Sequence, residues 1–63
     1  MSINEISLDL FLNEIDKAIS SGNIIYIRKA INLYETIIDK SYILWANNIA
    51  LQIIEEKFED ILI

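Results

Sequence analysis

Apolar residues recur at helical spacing along nearly the whole of this chain, and almost nothing interrupts them. Its 63 residues include one glycine and no proline, while sixteen are isoleucine. Proline and glycine are the strongest helix breakers, and the apolar period is that of a helix, not a strand. The chain is therefore expected to be all-α. With 54% of its residues apolar, its helical faces are wide for so small a body. A domain of about 60 residues buries only about 60% of the surface its unfolded chain exposes, so folds of this size depend on a staple. The absence of cysteine and histidine removes disulfides and ordinary zinc or iron–sulfur sites. No acidic loop built around a glycine offers a calcium site. No cofactor is expected, and dense helix packing and oligomerisation are what remain.

The single domain, residues 1–63, divides into three segments: helix 1 at about 3–20, helix 2 at about 23–39 and helix 3 at about 41–61. In the first, Leu8, Phe11, Leu12, Ile15, Ala18 and Ile19 share a face. Ser2-Ile3-Asn4-Glu5 has the form of a capping box, with Ser7 as a competing N-cap. Ser20-Ser21-Gly22-Asn23 stops the helix, Gly22 being suited to a left-handed C′ position and Asn23 or Ser21 to capping the next helix. The second segment carries the stripe Ile24, Ile27, Ile31, Tyr34, Ile38, widened by Ala30, Leu33 and Ile37. The third carries Leu44, Asn47, Leu51, Ile54, Phe58, Ile61, widened by Ala46, Ala50, Ile53 and Leu62.

No glycine or proline parts the last two segments, but their phases do. Extending the stripe at 24, 31 and 38 lands on Trp45, Gln52 and Glu59. The observed stripe sits one residue earlier, about 100° around the helix. A break at Asp39-Lys40-Ser41, with Ser41 or Asp39 as N-cap, resolves the slip. Helices 2 and 3 are then expected to form a central antiparallel hairpin, with helix 1 as a lid. Leu33, Tyr34, Ala46 and Ala50 fall at positions resembling a tetratricopeptide hairpin. The glycine and terminal proline of that motif are missing, and it occurs once where such arrays need about three units, so no family is assigned.

Charge and residue inventory exclude more than they suggest. Ten acidic against five basic residues give a net charge of −5, which disfavours nucleic-acid binding through phosphates and docking on anionic membranes. No apolar run approaches the ~18 residues of a membrane span. Met1-Ser2-Ile3-Asn4-Glu5 lacks the basic n-region of a secretory leader, and a cytoplasmic protein is expected. Acid–base work at neutral pH favours histidine or a carboxylate in a dry pocket; histidine is absent and nearly all the carboxylates fall on expected solvent faces. No Ser/His/Asp or Cys/His arrangement is available, and so short a chain lacks the volume to enclose a typical substrate pocket of about 300 Å³ alone. The chain is expected not to be an enzyme.

Four features point to protein contacts. Ile3, Ile6 and Leu10, spaced i, i+3, i+7 off the main face of helix 1, match a helix laid in a groove; alternatively they form an arm over the core. Trp45 lies off the apolar arc of helix 3, as an interface anchor or folded back over the hairpin. Asn47 interrupts an apolar seam, where asparagine can fix register and oligomer order, or simply meets water. Glu55, Glu56, Glu59 and Asp60 crowd a helix C-terminus against the macrodipole and the i,i+4 charge rule, as a patch for a basic partner or as a solvated face.

The expected protein is a homodimeric helical bundle whose interface uses Ile27, Ile31, Tyr34, Leu44, Asn47, Leu51, Ile54 and Phe58. Its expected function is non-enzymatic and inhibitor- or adaptor-like: occupation of another protein's surface through Ile3, Ile6, Leu10, Trp45, Glu55 and Glu59. Phage- and plasmid-encoded accessory factors have this size and acidity, an association only. A helix-turn-helix-like DNA-binding regulator using Arg28, Lys29 and Asn32, or a structural subunit of a larger assembly, are the alternatives.

Overall fold

In a computed structural model, which describes the backbone of residues 3–62 and the side chains of residues 5–57, the chain forms three helices. These are α1 (Ile3–Ser21), α2 (Ile25–Tyr34) and α3 (Lys40–Leu62). No strand occurs among the described residues. The body measures 47 × 18 × 14 Å. At 1.5 Å per residue the 23 residues of α3 span roughly 35 Å, so that helix runs lengthwise.

The turn after α1 forms as its sequence implies. Gly22 takes φ +67°, and the Asn23 N–H donates to the Ala18 carbonyl at 3.2 Å, which is the six-to-one bond of a Schellman end. A β-carbon at Gly22 would meet only Lys57 Cε at 3.7 Å. Glycine is required there by backbone conformation and not by crowding. Asn23 Oδ1 then accepts the Ile25 N–H at 3.0 Å and opens α2.

The second break falls at 35–39. Expected to run to 39, α2 ends at Tyr34 instead, and turns carry the chain through Glu35, Thr36 and Ile37. Thr36, Ile37 and Ile38 are consecutive β-branched residues, which lose side-chain freedom in a helix. The Ile37 and Ile38 N–H groups both donate to the Tyr34 carbonyl, and the bend brings Ile38 into the core.

Asp39 caps α3, its Oδ1 accepting the Ser41 N–H at 2.9 Å. That bond, with help from the Ser41 hydroxyl, holds the Asp39 carboxyl below the ordinary carboxylate range. The ionised form is the one the fold favours. Its stabilisation is therefore fully present above the unfolded pKa and is lost as pH falls through Asp39's own lower value. Asp39→Ala should lower the melting temperature by a few degrees at neutral pH and by less in strong acid; Asp39→Asn, which keeps an acceptor, should recover most of the loss. Thermal melts across pH check this, and an equal loss at neutral pH and in strong acid would rule out the cap.

The core consists of Phe11, Ile15, Ala18, Ile27, Ala30, Ile38, Ala46 and Ile53. Phe11 meets Tyr34 edge to face, ring centroids 6.4 Å apart, a favoured aromatic geometry. The most extensive packing is α1 on α2, and α3 touches each over a shorter stretch. Small residues sit where the helices meet: Ser7, Ala18, Ala30 and Ala46 are all buried. Ser7 thus lies inside α1 and does not begin it. Ile19, Leu33 and Ile37, expected on inward faces, are exposed.

Candidate functional site

Among the described residues, two lines of exposed apolar side chains stand out. The larger lies on α3, where Leu44, Leu51 and Ile54 are 65%, 56% and 43% exposed, with exposed Asn47 in line between them. At about 100° per residue this line sits roughly 110° around the helix from the face that α3 turns inward, which uses Ala46 and Ile53 with Ile43, Ile49 and Ala50 partly covered. The stripe read from sequence as the heart of the bundle is thus a solvent-facing seam, and α3 packs on its own chain through smaller residues beside it.

Between that seam and α2 runs an open groove of about 280 Å³, lined by Ile24, Ile27, Arg28 and Ile31 on one side and Asn47, Ala50, Leu51 and Ile54 on the other. Of the α2 residues expected at a dimer interface, Ile27 is buried within the chain, and Ile31 and Tyr34 are half-buried, Tyr34 against Phe11. The α3 residues Leu44, Asn47, Leu51 and Ile54 are all exposed. Phe58 lies outside the described side chains.

The second surface is on α1. Ile6 and Leu10 are each 48% exposed, and they share a line with exposed Asn13 and Lys17. Because the helix begins at Ile3, Ile6 stands on its outer face and not on an arm folded over the core. The Ile3 side chain is outside the described residues. Lys17 Nζ pairs with Glu14 Oε1 at 3.0 Å, and that hydrogen bond raises the pKa of its ammonium.

Trp45 is 40% exposed and shares a depression of about 370 Å³ with Leu12, Ser41 and Tyr42, so it neither enters the core nor stands on the α3 seam. Glu55 and Glu56 are exposed near the end of α3, and Glu59 is outside the described side chains. Arg28 and Lys29 are exposed on α2 near exposed Glu35. Among the described residues no group of three or more acidic side chains is gathered as a metal site, and no helix is long and apolar enough to cross a membrane.

Compared with family models, curated proteins and solved structures, the chain matches none. Its function has to be argued from these surfaces. Sequence reasoning did not separate the part of the α3 arc that faces its own chain from the part left exposed. The signal for that division was the line Ala46, Ala50, Ile53, whose small members allow helices to approach closely while a neighbouring leucine stripe does not.

Proposed function

We propose that this chain is a small, non-enzymatic, cytoplasmic interaction protein that works as a homodimer and acts by occupying a surface on another protein. The observation that carries the reading is the pair of uncovered apolar surfaces on one short chain: the α3 seam and the outer face of α1. Scattered apolar side chains are ordinary on protein surfaces, whereas aligned ones mark contact sites. The α3 seam serves the dimer, in which α2 and α3 form an antiparallel pair and two such pairs close a four-helix core. That assignment leaves the α1 face, Ile6 and Leu10 at i, i+4 with Lys17 two turns further on, to lie in a hydrophobic groove on the target.

The non-enzymatic reading is supported by the residue inventory, which lacks histidine and cysteine, and by the open, mostly aliphatic lining of the groove between α2 and α3. The test uses paired variants. Ile6→Asp with Leu10→Asp should keep the parent's helicity and lose capture of the target from an extract of the source cells, while Leu51→Asp, which opens the dimer, should still capture it. Loss of helicity in the first variant would show that Ile6 and Leu10 support the fold. Capture lost only in the second would move target binding to α3.

A further inference from the structure

We propose that the cleft between α1 and the first turns of α3 docks a basic amphipathic helix of a partner protein, an aliphatic side chain entering between Leu12 and Trp45 and two cations meeting Asp9 and Asp16. This goes beyond the reading above, and uses neither the α3 seam nor the outer face of α1.

Two open depressions, of about 240 and about 370 Å³, share Tyr42 and make up the cleft. Leu8 of α1 lines the first and Leu12 the second, where Trp45 of α3 stands opposite. Trp45 and Tyr42, about one turn apart, are 40% and 37% exposed. Aromatic rings that offer a large apolar area with a polar edge are common anchors of protein contacts, and their faces attract cations.

Charge names the occupant. Asp9, Leu12 and Asp16 stand at i, i+3 and i+7 on α1, so both carboxylates lie within about 60° of Leu12 around the helix, and both are exposed. Glu5 and Asp39 line the first depression. They stand at the starts of α1 and α3, where they answer the partial positive charge of the helix ends, and Glu5 is already engaged. Among the described residues no lysine or arginine lines either depression. Lys40 lines a different one with Glu35 and Leu44, Arg28 lines the groove between α2 and α3, and Lys17 is paired with Glu14. Asp9 and Asp16 therefore leave surplus negative charge beside apolar surface.

Their spacing selects a helix over a small ligand. Carboxylates seven residues apart on α1 are separated by about 10 Å along its axis, more than one small cation bridges. Lysines or arginines two turns apart on a facing helix, with a leucine between them, match Asp9, Leu12 and Asp16 position for position. Nucleic acid and anionic membrane are repelled by the same charge.

The chain has one tryptophan, so the fluorescence of Trp45 reports the cleft directly. The probe is a synthetic helical peptide of about twelve residues with basic residues at i and i+7 and leucines at i+3 and i+4. One control peptide carries glutamate for the basic residues, and another carries serine for the leucines. A saturable change in Trp45 emission at micromolar concentration is expected from the probe and from neither control. Asp9→Asn with Asp16→Asn should weaken it about tenfold at low salt without changing the circular dichroism. Ile6→Gln with Leu10→Gln, which leave the charge unaltered, should bind as the parent does. Equal binding of either control, no response to the probe, or an affinity that the asparagine pair leaves unchanged overturns the proposal. Loss of binding through Ile6 and Leu10 also overturns it, by moving the contact to the outer face of α1. None of these results bears on the homodimer, which sedimentation reads separately.

Discussion

Truncation of Phe11 to alanine is expected to remove most of the stability of the folded chain. Phe11 is fully buried, central to the core, and stacked edge to face on Tyr34. A buried phenylalanine replaced by alanine costs about 3–5 kcal/mol through lost transfer energy and the cavity left behind. A domain of 63 residues at about 0.05–0.15 kcal/mol per residue has only about 3–9 kcal/mol to lose. Leu33→Ala is the matched control. Leu33 is 64% exposed on α2, so its truncation should change stability by no more than about 0.5 kcal/mol. Urea unfolding followed by circular dichroism measures both, and similar losses for the two variants would contradict a core centred on Phe11.

The other large effect is expected at Leu51. Leu51→Asp places a carboxylate in the middle of a seam that the second copy would desolvate, and symmetry places it there twice. Burying an unpaired charge costs several kcal/mol, and each 1.4 kcal/mol is tenfold in affinity. The dimer dissociation constant should therefore rise on the order of 1,000-fold. Helicity of the separated chain should survive, because Leu51 is already more than half exposed in it. Ile53→Asp is the contrasting case. Ile53 lies two residues away on the same helix but is 8% exposed, and a charge there should unfold the chain itself. Sedimentation and circular dichroism on the pair separate loss of association from loss of fold.

How far the fold can be read from the residues depends on what kind of signal each feature leaves. The end of α1 is written in Gly22, the one residue free to take a left-handed backbone without strain, with an asparagine beside it to open the next helix. The start of α3 is written in the one-residue slip between two apolar stripes, together with Asp39 as a cap. The early end of α2 leaves only a weak trace, the run Thr36-Ile37-Ile38, because no breaker residue stands there and the bend follows from the need to bury Ile38.

The inward face of α3 is harder still. Its apolar residues cover about half the helix, and periodicity does not say which part of so wide an arc belongs to its own chain. Close approach decides it. Ala46 and Ala50 let α3 approach the rest of the molecule, while Leu44 and Leu51 stay outside. The same ambiguity surrounded Ile6 and Leu10, whose exposure depended on where α1 starts. Their partner is not encoded in this chain at all, since a binding face specifies a shape and a polarity and leaves open which molecule supplies them.

Contact between two copies along the uncovered α3 seam is tested most directly by sedimentation equilibrium of the unmodified chain at micromolar concentration. A mass twice the 7.3 kDa of the chain, falling to the single mass for Leu51→Asp, is the predicted result. A single mass for the unmodified chain, or a double mass that Leu51→Asp leaves unchanged, would contradict it.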